Sequence, residues 1–106
     1  MIRGEIRWYQ FKKPDKKRPV LILTRSSALE FLGEVTVAPI TSTIRDIPTE
    51  VFLGPQDGMK GDCAINLDHL QTVSRGRIGS LITTLPLEKW KEIEKGLLFA
   101  LGFESS

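Results

Sequence analysis

The chain has 106 residues, of which 41% are hydrophobic and 26% charged, and its formal net charge is +2 at pH 7. These values argue against a disordered chain, because disorder requires low hydrophobicity with high net charge. No apolar run approaches the roughly 20 residues that cross a membrane, and the N-terminus lacks the apolar segment of a signal peptide. With one cysteine, Cys63, an internal disulfide is impossible. We expect a single cytoplasmic domain over residues 1–106.

Strand-like stretches predominate in the first forty residues. Residues 5–11 are rich in aromatic side chains and predict a strand. Residues 19–24 form a continuous apolar run, which is typical of a strand buried on both faces. Residues 34–41 predict the next strand. Because Pro39 cannot donate a backbone hydrogen bond, we expect this strand to end at a sheet edge or a bulge.

The remaining segments before residue 74 predict one short helix, turns and further strands. Residues 26–32 would form one or two helical turns, capped by Ser26 or Ser27 and ended by Gly33. A loop over residues 42–48 would follow the strand that contains Pro39. The later elements are a strand at 49–53, turn chemistry at 54–58, and strands at 62–67 and 69–73 with a kink at Asp68.

Only the C-terminal segment has clear helical periodicity. Pro86 suits the first helical position, Glu88 follows in the first turn, and Gly102 is a natural stop. One apolar stripe runs along this helix through Leu87, Trp90, Ile93, Leu97 and Leu101. Many short strands and one terminal helix predict a mainly β (α+β) fold, a small antiparallel barrel. Periodicity does not separate an SH3-like barrel from an OB-like one.

The positive charge of the chain is concentrated in one loop. Residues 12–18 carry five basic side chains and one acidic side chain, a local charge of +4, whereas the other residues sum to −2. A basic loop on a slightly acidic body indicates local attraction to an anion, but a lysine loop that is merely solvated gives the same pattern.

Two side chains at predicted strand ends are candidates for chemistry. Arg18 offers a rigid fork of donors that matches phosphate oxygens, and it stands directly before the buried strand. Thr41 places a hydroxyl at the end of the strand that contains Pro39. From position alone, Arg18 is more often expected to form a surface ion pair, and Thr41 to be an ordinary strand or turn residue.

Three stretches carry a family resemblance in order and spacing. They are Arg3-Gly4-Glu5-Ile6, Lys17-Arg18-Pro19-Val20-Leu21 and Val37-Ala38-Pro39-Ile40-Thr41-Ser42. With them, nearly the whole chain resembles the MazF/PemK family of toxin ribonucleases. The resemblance implies an SH3-like barrel with a C-terminal helix, and a homodimer that is inhibited by a cognate antitoxin protein. It also implies sequence-specific cleavage of single-stranded RNA without metal or cofactor, leaving a 2′,3′-cyclic phosphate and a 5′-hydroxyl.

The resemblance also assigns roles to residues. It makes Arg18 and Thr41 the catalytic pair, and it matches Asp68 to an acidic position of the family. The residues expected to bind RNA are Lys12, Lys13, Lys16, Lys17, Ser42, Thr43, Asp68 and His69. For His69, base stacking, proton donation and a purely structural role all stay open.

The chain departs from the family pattern at three places. His69 stands where the family often has glutamine, and Gln71 stands where it often has arginine. The compact Lys12–Lys17 stretch replaces a longer glycine-rich loop with a Glu-Gln pair. Because that loop flanks the RNA groove in the family, these departures bear on substrate preference, and the lysines would contact phosphates without reading bases.

Two alternatives to a ribonuclease remain. A gyrase-inhibiting toxin of the CcdB type resembles the same fold, but that class relies on a Trp-Gly-Ile C-terminus, whereas this chain ends Phe103-Glu104-Ser105-Ser106. A non-catalytic nucleic-acid-binding barrel could use the lysine loop and exposed aromatics. The sequence has no metal-ligand spacing, phosphate-binding glycine loop or nucleophile elbow, and Cys63 is predicted to be buried and inert.

Overall fold

A computed structural model describes residues 1–11 and 17–103. It contains seven strands, a one-turn helix and a C-terminal helix. The strands are β1 Glu5–Gln10, β2 Lys17–Ile22, β3 Glu34–Thr41, β4 Glu50–Leu53, β5 Cys63–Asn66, β6 Gln71–Ser74 and β7 Ile78–Thr84. The helices are α1 Ser26–Leu29 and α2 Trp90–Ala100, with 3₁₀ turns at Pro55–Asp57, Leu67–His69, Arg75–Arg77 and Leu87–Lys89.

All strand pairs are antiparallel, in the order β4-β5-β3-β2-β1-β7, with β6 paired to β3 outside this path. The prediction of a mainly β fold with a C-terminal helix is therefore confirmed. The predicted kink at Asp68 is the 3₁₀ turn between β5 and β6. Along the part of the chain that the structure describes, no helix is long and apolar enough to span a membrane.

The expectation of a sheet edge at Pro39 is confirmed on one side of this end of β3. Over most of its length β3 is an interior strand, but its pairing with β2 ends at Val20↔Pro39. On its other side it pairs with β6 up to Val37 and with β5 from Ile40 onward. Pro39 lies at this change of partner, so its missing N–H interrupts neither of those two ladders.

Strand β2 separates two apolar clusters, as its continuous apolar run predicted. Leu21 packs in one cluster with Ile6, while Val20 and Ile22 pack in the other with Tyr9. All three β2 side chains are 0% exposed, because successive side chains of a strand point to opposite faces and both faces are covered. Burial of each such side chain stabilises the fold by about 1.5–3 kcal/mol, which fixes the backbone on which Arg18 is carried.

Helix α1 begins differently from the prediction. Its N-cap is Arg25, which provides no side-chain cap, so neither Ser26 nor Ser27 has the predicted role. The Ser26 hydroxyl instead accepts a hydrogen bond from the Arg3 backbone N–H at 3.0 Å. Glu30 is the C-cap, so the helix ends before Gly33.

Helix α2 covers the apolar cluster that contains Leu21 and Ile6, and it does so with the middle of its predicted apolar stripe. Ile93 is buried, and Trp90 and Leu97 pack against the cluster, but the predicted ends of the stripe are wrong. Leu87 is 84% exposed in the preceding 3₁₀ turn, and Leu101 is 60% exposed beyond the last helical turn.

Gly96 is buried on the inner face of α2. A Cβ there would lie 2.5 Å from Cδ1 of Leu67, which belongs to the 3₁₀ turn after β5. The missing side chain therefore allows α2 to lie close against the turn that leads to His69.

Candidate functional site

A cleft opens at the end of the β2–β3 ladder. The last paired residues are Val20 and Pro39, and two positions further in the same register lie Arg18 on β2 and Thr41 on β3. The pairing of β3 with β2 has ended here, although on its other side β3 continues, with Thr41 paired to Ala64 of β5. The two predicted catalytic side chains thus stand on either side of the opening between diverging strands.

The cleft has two adjoining lobes that share Arg18, Ile40, Thr41 and Thr43 in their walls. The first lobe is about 350 Å³ and is also lined by Phe11, Pro39, Arg45, Asn66, His69 and Gln71. The second lobe is about 430 Å³ and is also lined by Pro19, Ser42, Met59, Lys60, Gly61, Asp62 and Cys63. The catalytic candidates lie where the two lobes meet, so an extended ligand that occupies both lobes would contact them.

Arg18 is exposed, and its guanidinium makes no hydrogen bond or ion pair within residues 1–11 and 17–103. The alternative of a surface ion pair is therefore wrong for the described residues. With a buried strand behind it and no carboxylate partner among the described residues, Arg18 presents its donors to an anion in the cleft.

Thr41 is held in a defined orientation. Its Oγ accepts a hydrogen bond from the Thr43 backbone N–H at 3.1 Å, which leaves the hydroxyl hydrogen to donate elsewhere. Thr43 lines both lobes, and Ser42 lines the second. The three consecutive hydroxyl residues therefore all reach the cleft, but Thr41 is the one with a fixed oxygen on a strand.

The other predicted RNA-binding residues are distributed unevenly. His69 lines the first lobe. Asp68 lines neither lobe; its carboxylate accepts a hydrogen bond from the hydroxyl of buried Thr49 at 2.6 Å. Lys17 is exposed on β2 and lines neither lobe. Three of the predicted lysines lie outside the described residues: Lys12, Lys13 and Lys16.

Sequence reasoning missed four polar side chains in the walls. Arg45 and Asn66 line the first lobe, and Lys60 and Asp62 line the second. Arg45 had a usable signal, because it is a basic residue in the loop that directly follows Thr41. The sequence around Asn66 and Lys60 carries no such signal, because only the pairing of β5 with β3 brings their segments to the cleft.

The first lobe favours an anionic ligand. Its described walls contain Arg18 and Arg45 and no carboxylate, whereas the second lobe combines Lys60 with Asp62. The guanidinium groups match phosphate oxygens in geometry as well as in charge. The first lobe is therefore the more strongly cationic part of the cleft.

Cys63 closes the floor of the second lobe and is buried, as predicted. Burial raises the pKa of its thiol, and the nearby carboxylates of Asp62 and Asp57 raise it further. Because the thiolate is the nucleophilic form, this environment disfavours a catalytic cysteine.

Within the two described ranges, no group of three or more His, Cys, Asp or Glu side chains could hold a metal ion.

A third depression of about 430 Å³ continues from the first lobe, with which it shares Phe11 and Gln71. Here the Tyr9 and Phe11 rings meet edge to face at 4.7 Å between centroids. The Arg77 guanidinium lies 5.9 Å from the Tyr9 ring centroid. Tyr9 is buried, but Phe11 is partly exposed and Arg77 is exposed, and an accessible ring beside a cationic group suits an unpaired nucleotide.

Comparison with known proteins gives one consistent result. Residues 2–101 match the family model of the PemK-like, MazF-like toxin of type II toxin–antitoxin systems. The structure is similar to that of the Mycobacterium tuberculosis toxin MazF-mt6, with a TM-score of 0.88 and 33% identity over 95% of this chain and 99% of that one.

Two curated relatives from Mycobacterium tuberculosis also match. Endoribonuclease MazF3 is 46% identical over 59 residues, which are 56% of this chain and only 57% of that protein. Probable endoribonuclease MazF2 is 35% identical over 86 residues, or 80% of this chain and 82% of that protein.

Proposed function

The chain belongs to the family of PemK-like, MazF-like toxins of type II toxin–antitoxin systems, and from this premise we propose that it is an endoribonuclease that cleaves single-stranded RNA. The observation that carries the proposal is the pair formed by Arg18 and Thr41 at the mouth of the cleft. A guanidinium without a partner among the described residues and an oriented hydroxyl flank a space whose first lobe has cationic, carboxylate-free described walls.

We propose that the reaction is an attack of the ribose 2′-oxygen on the adjacent phosphorus. The bond between O2′ and phosphorus forms, and the bond between phosphorus and O5′ breaks. The 2′-hydroxyl gives up its proton to solvent water, and the departing O5′ takes up a proton from solvent, which gives a 2′,3′-cyclic phosphate and a 5′-hydroxyl. Negative charge builds up on the phosphorane oxygens, and preorganised donors lower the free energy of that transition state.

Arg18 would supply most of this stabilisation, because its two-pronged donor set can engage two phosphorane oxygens. Thr41 would donate its hydroxyl hydrogen to a phosphate oxygen and hold the phosphate against Arg18. An arginine guanidinium stays protonated in proteins, so we assign Arg18 to charge stabilisation and not to proton abstraction.

We propose that the substrate strand follows the cleft and contacts Ser42, Thr43 and His69 in its walls. For Lys17 and Asp68, which lie outside the walls, the proposal of RNA contact rests on the resemblance to the family. For Lys12, Lys13 and Lys16 it rests on their charge, which would attract phosphates without reading bases.

Cleavage of a single-stranded RNA in the presence of EDTA tests this function. We expect cleavage without divalent metal. The upstream product should end in a 2′,3′-cyclic phosphate, and the downstream product should begin with a free 5′-hydroxyl. Arg18→Ala serves as the control for contaminating ribonuclease. Binding without cleavage would favour the non-catalytic barrel, and inhibition of gyrase without cleavage would favour the CcdB-like toxin.

We further propose that the protein acts in the cytoplasm as a homodimer that a cognate antitoxin inhibits. Tyr9 and Phe11 are used in the core, but Trp8, Phe31 and Phe52 stay exposed, and such side chains are common at protein interfaces. A two-fold pair is the commonest assembly, and an acidic antitoxin segment would fold over Arg18 and occlude the cleft.

Light scattering at micromolar concentration tests the assembly. We expect twice the mass of one chain, and a larger complex together with loss of RNA cleavage when the protein encoded next to it is added. A strict monomer that no neighbouring gene product inhibits would contradict both the dimer and the antitoxin.

A further inference from the structure

Arg45 is a second cationic group in the first lobe of the cleft. It lines this lobe together with Arg18 and Thr41. Its guanidinium makes no hydrogen bond or ion pair with any residue in the ranges 1–11 and 17–103. The proposed chemistry does not use this side chain, although Arg45 lines the same lobe as the two proposed catalytic residues.

The backbone that carries Arg45 is held by one carboxylate. Oε1 of Glu50 accepts hydrogen bonds from the backbone N–H groups of Arg45 at 2.8 Å and of Asp46 at 3.1 Å. The Glu50 backbone N–H in turn donates to the carbonyl of Ile47 at 2.9 Å. Asp46 has φ of +53°, a conformation that non-glycine residues adopt rarely, and the two bonds to Glu50 hold it there.

This arrangement differs from that of a solvated surface arginine. A solvated side chain does not require a fixed backbone. Here the carboxylate of Glu50 on β4 fixes the backbone of the loop that carries Arg45. Glu50 binds the amide of Arg45 and not its guanidinium, and Oε2 of Glu50 is shielded from solvent without a partner among the described residues. The positive charge of Arg45 therefore remains available to a ligand.

Resting on the proposed function, we propose that Arg45 binds a phosphodiester group adjacent to the one that is cleaved, and that Glu50 is the positioning residue that presents it. The first phosphate is held by Arg18 at the junction of the lobes, and the neighbouring phosphate of the same strand lies in the first lobe at Arg45. The two guanidinium groups would thus set the register of the strand relative to Thr41.

Binding of a non-cleavable strand separates this role from catalysis. The probe is a single-stranded oligonucleotide that lacks every 2′-hydroxyl, so that no nucleophile is present, and its affinity is measured across a series of salt concentrations. Each phosphate neutralised on a single strand contributes about −0.7 to the slope of log K against log salt. We expect Arg45→Gln to reduce the magnitude of the slope by about 0.7 and to weaken binding roughly tenfold at low salt.

Arg25→Gln is the matched control, because it makes the same change of charge at an exposed arginine that lines neither lobe. We expect it to retain the wild-type slope. A slope for Arg45→Gln equal to that of the wild type would overturn the inference. Failure of the wild type to cleave RNA would instead overturn the proposed function, because the binding series does not depend on cleavage.

Glu50 is tested by rescue. We expect Glu50→Ala to give the reduced slope of Arg45→Gln, and Glu50→Gln, which keeps an acceptor oxygen, to return toward the wild-type slope. The double variant Arg45→Gln/Glu50→Ala should have the same slope as Arg45→Gln alone, because both changes remove the same phosphate contact. A wild-type slope for folded Glu50→Ala would overturn the positioning role. Should Glu50→Ala fail to fold, a reduced slope for Glu50→Gln equal to that of Arg45→Gln would overturn it.

Discussion

Replacement of Arg18 by alanine is expected to slow the chemical step of RNA cleavage by about 10²–10³-fold, the usual effect of removing one preorganised donor from a charged transition state. The stability of the fold should change little. Arg18 is exposed and makes no ion pair within the described ranges, while the adjoining core residues from Val20 to Ile22 are untouched.

Single-turnover rates at saturating enzyme, together with thermal unfolding, measure the two effects separately. Arg18→Lys is the informative companion, because it keeps the charge and loses the two-pronged geometry; we expect a rate between those of the wild type and Arg18→Ala. Arg25→Ala controls for the loss of an exposed arginine elsewhere. A folded Arg18→Ala protein that cleaves within a few-fold of the wild-type rate would refute the catalytic assignment.

Replacement of Thr41 by alanine is expected to slow cleavage by about 10–100-fold, the range for loss of one hydrogen bond to a charged group. Its effect should exceed that of Ser42→Ala or Thr43→Ala, because only Thr41 has an oxygen held by a neighbouring amide, at 3.1 Å from the Thr43 nitrogen. Thr41 is also anchored by its pairing with Ala64.

Thr41→Ser distinguishes the hydroxyl from the methyl group. It retains both the acceptor for the Thr43 amide and the outward donor, so we expect most of the activity to return. Rates for the four variants, measured under one set of conditions, decide the ordering. Equal losses at Thr41, Ser42 and Thr43, or a larger loss at Ser42, would mean that a different hydroxyl faces the phosphate.

The elements predicted best from sequence are those whose local pattern and tertiary environment agree. The apolar run of β2 predicts burial on both faces, and β3 extends over Glu34–Thr41, the same bounds as predicted. Both belong to the centre of the sheet, where the side-chain pattern alone specifies burial. The catalytic candidates Arg18 and Thr41 are attached to these strands, which is why sequence reasoning could place them at strand ends.

Features that depend on partners distant in the chain could not be predicted in this way. Strand β7 has no clean apolar alternation, and its pairing with β1 shifts register twice, between Ile6 and Arg7 and between Arg7 and Tyr9. The environment of Pro39 requires knowing that β6 and β5 share one side of β3. The orientation of Arg45 requires the bonds from Glu50, which local propensity does not reveal.

The divergence of β2 and β3 at Val20 and Pro39 has a consequence for how related chains can evolve. The reactive pair stands on two interior strands, whereas the connections at 42–48, 58–62 and 67–70 supply much of the surrounding wall. Connecting loops tolerate substitution and insertion far better than interior strands do. Descendants of such a chain could therefore change which nucleotides they prefer by altering loops alone, without disturbing the groups that break the bond.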